Sequence, residues 1–129
     1  MPAANPLFKK LQIKPGTRLA VVNAPPAFER LLKALPEGAE RVKTVRGELD
    51  LIHTFVTTKR DALRDAPKLS KSLREGGILW VSYPKGKKVE TDLNRDVLRV
   101  ELEAHGLEAV AQVAIDELWS ALRFKVVAK

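Results

Sequence analysis

The densest grouping of chemically able side chains in this sequence is the stretch YPKGKKVETD, residues 83–92. There Lys85, Lys87 and Lys88 run into Thr91 and Asp92 at a predicted helix start. A helix amino terminus offers free backbone N–H groups and the positive end of the helix dipole, so cations placed just before it form a setting for a phosphate or carboxylate. Tyr83 and Arg95 flank the stretch and complete the candidate anion contacts. The bland reading is a solvated loop in which Thr91 or Asp92 caps the helix, and Asp92 would repel the anion. Arg95 has Asp92 and Asp96 within a helical turn, so it can pair with an acid as readily as with a ligand.

A second candidate is the turn Asn23-Ala24-Pro25-Pro26, between a predicted strand and a predicted helix. Ligands of open α/β sheets lie beyond the carboxyl ends of the strands, which makes Asn23, Ala24 and Pro25 candidate contacts. The turn has no glycine, the residue that lets a backbone come close to a phosphate or a ribose. Asp116 and Glu117 are adjacent acids that could serve as a base or metal ligands, but a hairpin turn needs polar residues anyway and no histidine is nearby in sequence. His53 stands within an apolar run, where a neutral, hydrogen-bonded core histidine is the simpler reading and a group tuned for proton transfer the sharper one. Trp80 suits a core; Trp119, at a predicted hairpin, could seal a pocket, cover a sheet edge or anchor a partner.

These residues must be positioned by a chain of 129 residues, enough for one domain, residues 1–129, with its own core. The absence of cysteine excludes disulfides, thiolate metal sites and cysteine nucleophiles. No apolar run approaches a membrane span and the first residues lack a signal-peptide core, so a cytoplasmic protein is expected. The net charge of +7 is concentrated in residues 1–47 and the 85–88 lysines. That balance suits a polyanion, although no basic run is interleaved with aromatics as base stacking requires.

Short β-branched runs alternate with helical periods, the pattern of an α/β sheet. The reading places a short helix at Leu7, Phe8 and Leu11, a strand from about Arg18 to Asn23, and a helix with Phe28, Leu31, Leu32 and Leu35 on one face. It continues with an edge strand over 41–46 and a central strand over 49–56. The next helix is capped by Thr58, kinked or broken near Asp65 by Pro67 and closed by Gly76-Gly77 before a strand over 78–83. A helix opened by Thr91 or Asp92, with Leu93, Val97, Val100 and Ala104 on one face, and a closing hairpin complete it. Right-handed crossovers then predict an open, mostly parallel, Rossmann-like sheet of about six strands in the order 2-1-3-4-6-5, strand six antiparallel, with helices on both faces.

KPGTRLAVVNAP at the first strand, LDLIHTFV, LREGGILWVSYPK and the closing hairpin resemble a shortened class I S-adenosylmethionine-dependent methyltransferase fold. KPGTRLAVVNAP, GGILWVSYPKG, TDLNRD and DELWSALRF together look like a family of small bacterial proteins known as a domain of unknown function. The resemblance implies a glycine-rich turn after strand one for the cofactor's carboxypropyl end and an acid at the end of strand two for its ribose. The chain has Asn23-Ala24-Pro25-Pro26 at the first place and Arg46-Gly47, with Glu48 nearest, at the second. After the central strand it has Phe55-Val56-Thr57-Thr58 in place of an Asn-Pro-Pro-Tyr-like motif. The expectation is therefore a non-catalytic domain with no cofactor, binding an anionic small molecule or a protein partner at the carboxyl ends of the strands, as a monomer or homodimer. The alternatives are a divergent methyltransferase using S-adenosylmethionine and a nucleic-acid-binding protein using the basic amino-terminal half.

Overall fold

The computed structural model describes residues 6–85 and 91–127. Its helices are α1 (Pro6–Lys10), α2 (Pro26–Leu31), α3 (Lys59–Ser70) and α4 (Arg95–Glu103). Its strands are β1 (Arg18–Val22), β2 (Glu40–Arg41), β3 (Leu49–Phe55), β4 (Leu73–Pro84), β5 (Leu107–Ala114) and β6 (Trp119–Val126). The six strands form one sheet in the order β2-β1-β3-β4-β6-β5. β1 pairs in parallel with β2 and β3, and β3 with β4, while β6 is antiparallel to both β4 and β5. The order and the reversed last strand are those expected from the alternating pattern.

Period-two alternation divides the side chains of the central strands between two cores. Leu51 and Phe55 of β3 and Trp80 of β4 pack with Phe8, Leu11, Leu19 and Phe28 on the side of α1 and α2. Ile52, Leu79, Val81 and Tyr83 pack with Ala62, Ala66, Leu98 and Leu102 on the side of α3 and α4. A sheet covered on both faces needs strands apolar at nearly every position, and β3 is buried at all but one.

Four local features differ from expectation. The edge strand is only Glu40–Arg41, because charged residues at 43 and 46 have nothing to pack on beyond it. α3 runs unbroken through Pro67, which falls in its last turn, where the Ser70 hydroxyl donates to the Pro67 carbonyl at 2.7 Å. Gly76-Gly77 does not close that helix but lies inside β4, next to the register shift between Leu49 and Leu51. Gly76 has φ +78°, and a Cβ on Gly77 would stand 3.0 Å from the Arg74 carbonyl oxygen, so this bulge requires glycine. Lastly, α4 is capped by Asn94, whose side chain accepts from Val97 N, and it buries Leu98 and Leu102 while Val100 is exposed.

Candidate functional site

The carboxyl ends of β1, β3 and β4 lie side by side, with Val22 opposite Thr54 and Phe55 opposite Ser82. The segments that follow them, Asn23 to Pro25, Val56 to Thr58 and Lys85 onward, therefore share one end of the sheet. The β5–β6 turn joins them because Pro84 pairs with Trp119. Asn23 is exposed and has φ +60°. Among non-glycine residues asparagine tolerates this left-handed region best, so Asn23 makes the turn that glycine would make. Pro25 then precedes Pro26, the first residue of α2, and its carbonyl accepts from both Phe28 N and Glu29 N.

The outer side of this end is closed by an ion pair that the sequence reading missed. Thr17 O and Leu19 O accept from Glu40 N and Val42 N across β1–β2, but β2 stops at Arg41, so the alternating pattern leaves Val21 O without a strand partner. The Arg41 guanidinium reaches it at 3.4 Å and also holds the Glu29 carboxylate with two N–H groups, one of them at 2.8 Å. The Arg41 hydrogen bond keeps the Glu29 carboxyl below its ordinary range, and Glu29 in turn raises Arg41. α2 thereby brings a second acid beside β2, whose own Glu40 pairs with Arg18 at 3.5 Å. The one available signal was the opposite charge of Glu29 and Arg41, which only the β1–α2–β2 crossover brings together.

On the other side, the residues of the lysine stretch are tied to protein groups. Asp92 Oδ1 accepts from Lys59 N at 2.7 Å, so the carboxylate satisfies the amino terminus of α3 rather than α4. The Thr91 hydroxyl donates to Thr57 O at 2.6 Å. Lys85 Nζ donates to Asp116 O at 2.7 Å, fixing the hairpin turn, and Asp116 Oδ1 accepts from Leu118 N and Trp119 N. Arg95 pairs with Asp96 at 3.6 Å. Tyr83 is buried on the α3/α4 side, with its hydroxyl accepting from Gln112 Nε2. Lys87 and Lys88 lie outside the described residues.

Beneath the turn, aromatic rings fill the α1/α2 side. His53 stacks on Phe55 with centroids 4.4 Å apart, Phe28 meets His53 edge-on at 4.9 Å, and Trp119 meets Phe55 edge-on at 5.1 Å. His53 Nε2 lies 2.6 Å from Ser82 Oγ, while Nδ1 is buried with no hydrogen-bond partner among the described residues. Burial pushes the imidazole down to about 3, so it is neutral at pH 7. This is the neutral core histidine of the simpler reading. Among the described residues no group of three or more histidine, aspartate or glutamate side chains could hold a metal ion, and no helix is long and apolar enough to cross a membrane.

No protein-family model and no curated protein matches the chain. Solved structures do match. A SAM-dependent methyltransferase from Aquifex aeolicus superposes with a TM-score of 0.63 at 11% identity, covering 94% of this chain and 88% of that one. A TehB-like SAM-dependent methyltransferase from Corynebacterium glutamicum gives 0.62 at 11% identity, over 93% and 85%. A ribosomal protein L11 methylase from Lactobacillus delbrueckii subsp. bulgaricus gives 0.61 at 15% identity, over 94% and 75%. The fold is thus the Rossmann-like fold of these methyltransferases. The expectation of a non-catalytic domain without a cofactor is corrected by this finding, because these three structures, which share the fold over 93–94% of this chain, are named as methyltransferases or a methylase, two of them SAM-dependent. The turn after β1 nevertheless takes the left-handed conformation usual for glycine, with Asn23 supplying it.

Proposed function

We propose that this chain is a divergent S-adenosylmethionine-dependent methyltransferase whose cofactor lies over the carboxyl ends of β1 and β3. The observation that carries this reading is the left-handed turn at Asn23, directly after β1, in a sheet that superposes on a SAM-dependent methyltransferase over 94% of this chain. The donor set fits the group. Asn23 and the small Ala24 let backbone come close at the turn, and Glu29 offers a carboxylate beside β2. Two of that carboxylate's approximately four acceptor positions serve Arg41, which leaves the others for ribose hydroxyls. Arg41 also neutralises the acid and fixes its rotamer, so less ordering entropy is lost when a diol binds.

The bound cofactor would supply an activated methyl group on a sulfonium. An acceptor then needs position and exclusion of water more than a charged catalytic pair, so the lack of a paired nucleophile and base among the described residues at this end of the sheet is no obstacle. Phe55 and Trp119 provide an apolar floor at the mouth of the site. The same proposal takes residues 1–129 as one domain of a cytoplasmic bacterial protein, supported by the resemblance to the small bacterial family.

The test is a thermal shift with S-adenosylhomocysteine, which at about 100 times its Kd should stabilise the fold by about 2.7 kcal/mol. An unchanged melting midpoint at saturating concentrations counts against the reading. Glu29→Ala is expected to weaken that binding about tenfold or more, while the free protein loses less than about 1 kcal/mol because the ion pair is largely exposed. Urea titration of the variant alongside the binding assay separates the two effects.

A further inference from the structure

The opposite end of the sheet holds a recess of about 370 Å³, between the segment after α1 and the amino ends of β3 and β4. Ile78 gives it apolar surface above the buried Leu51, and Gln12, Lys14, Thr17, Asp50 and Arg74 supply its polar groups. Its charges are unequal. Asp50 is already engaged, with Oδ2 accepting from Arg18 N at 2.9 Å and Oδ1 from Arg74 Nε at 2.6 Å. Arg74 also donates from Nη1 to Glu75 O, which leaves its other N–H groups available. For the Lys14 ammonium no side-chain partner exists among the described residues. Two cations against one occupied acid leave the lining one positive charge in excess.

Gln12 gives an independent reason to read this recess as built. It sits two residues past the end of α1 with φ +63°, and the bonds Gln12 N to Lys9 O and Ile13 N to Phe8 O form the helix-closing motif in which glycine is usual. A glutamine at such a position is strained backbone of the kind that clusters at ligand sites, and here Gln12 lines the recess.

We infer that this recess binds a small carboxylate with an apolar body: the carboxylate between Lys14 and Arg74, the Gln12 amide beside it, and the apolar part on Ile78. The single excess charge favours a monoanion over a phosphate dianion. The volume falls within the range of about 300–1,000 Å³ usual for small-molecule sites. The site is independent of the carboxyl-end reading and stands or falls without it.

The experiment is a titration of the ¹⁵N-labelled protein with phenylacetate, phenylacetamide and inorganic phosphate. Phenylacetate is expected to shift amides of residues 12–17, 50–51 and 74–78 with a Kd of about 1 mM or tighter. Lys14→Gln should weaken it by about tenfold or more. Gln12→Gly relieves the backbone, so it should raise the melting midpoint and still weaken binding. Neither variant should change the response to S-adenosylhomocysteine. The inference is overturned by the absence of saturable shifts in that region, by phenylacetamide binding as well as phenylacetate, by phosphate binding more tightly, or by both variants binding like the wild type.

Discussion

Acidification from pH 7 to pH 4.5 is expected to remove about 2–3 kcal/mol of folding stability through His53 alone. The native imidazole is held down to about 3 by desolvation, whereas in the unfolded chain it titrates near its ordinary 6.5. Between those values the unfolded chain binds the proton and the native one does not. The stabilisation is therefore fully present above about 6.5 and is lost progressively as pH falls towards 3. The rings of Phe28 and Phe55 pack on His53 and Ser82 is bonded to it, so no acid contacts the imidazole among the described residues to hold a charge there. Urea unfolding at a series of pH values reads the slope directly. In a His53→Phe, Ser82→Ala double variant, which removes both partners of the buried bond, that slope should disappear; an unchanged slope would place the titration elsewhere.

Trp80→Ala should cost about 3–5 kcal/mol, a large share of the stability of a domain this size. Trp80 is fully buried in the middle of β4, against Phe8 and Leu11 from the α1 segment. Its indole Nε1 donates to Leu11 O at 2.9 Å, across 69 residues of sequence. Truncation opens a cavity and orphans that carbonyl, so α1 should loosen from the sheet before the rest unfolds. Hydrogen exchange would register this as loss of protection at residues 8–13 beyond that seen in β3. Uniform loss across the sheet would mean that the indole merely fills space.

The sheet order was legible because two signals agreed. The β3 run is apolar on nearly every position, as a strand covered on both faces must be, and the two last runs are too close in sequence for a parallel crossover. What failed was local and had competing physics. Pro67 promised a break, but α3 continues through it to Ser70, whose hydroxyl donates to the Pro67 carbonyl. Gly76-Gly77 reads as a helix stop in one dimension and is a strand bulge in three. The alternation over 41–46 looked like an edge strand, yet pairing lasts only as long as β1 has a neighbour to offer.

The site was less legible: the missing glycine was read as a bar to close backbone approach, and nothing in the sequence signalled that Asn23 would take the left-handed conformation usual for glycine. The side chain of Asn23 tolerates the same region, a fact of conformation that composition hides. The lysine stretch had the correct chemistry in isolation. Its neighbours changed the outcome: Asp92 already sits at a helix amino terminus and Lys85 already holds the hairpin. The Glu29–Arg41 pair needs a full crossover to form, so no short window of sequence could reveal it.

The most direct test of the central claim is calorimetric titration of the wild type and of Asn23→Gly and Asn23→Val variants with S-adenosylmethionine. If the left-handed turn after β1 carries the cofactor, the wild type and the glycine variant bind with similar affinity. The valine variant, whose branched side chain opposes φ +60°, should lose about tenfold or more. Absence of heat in the wild type at millimolar ligand, or equal binding by the valine variant, would contradict it.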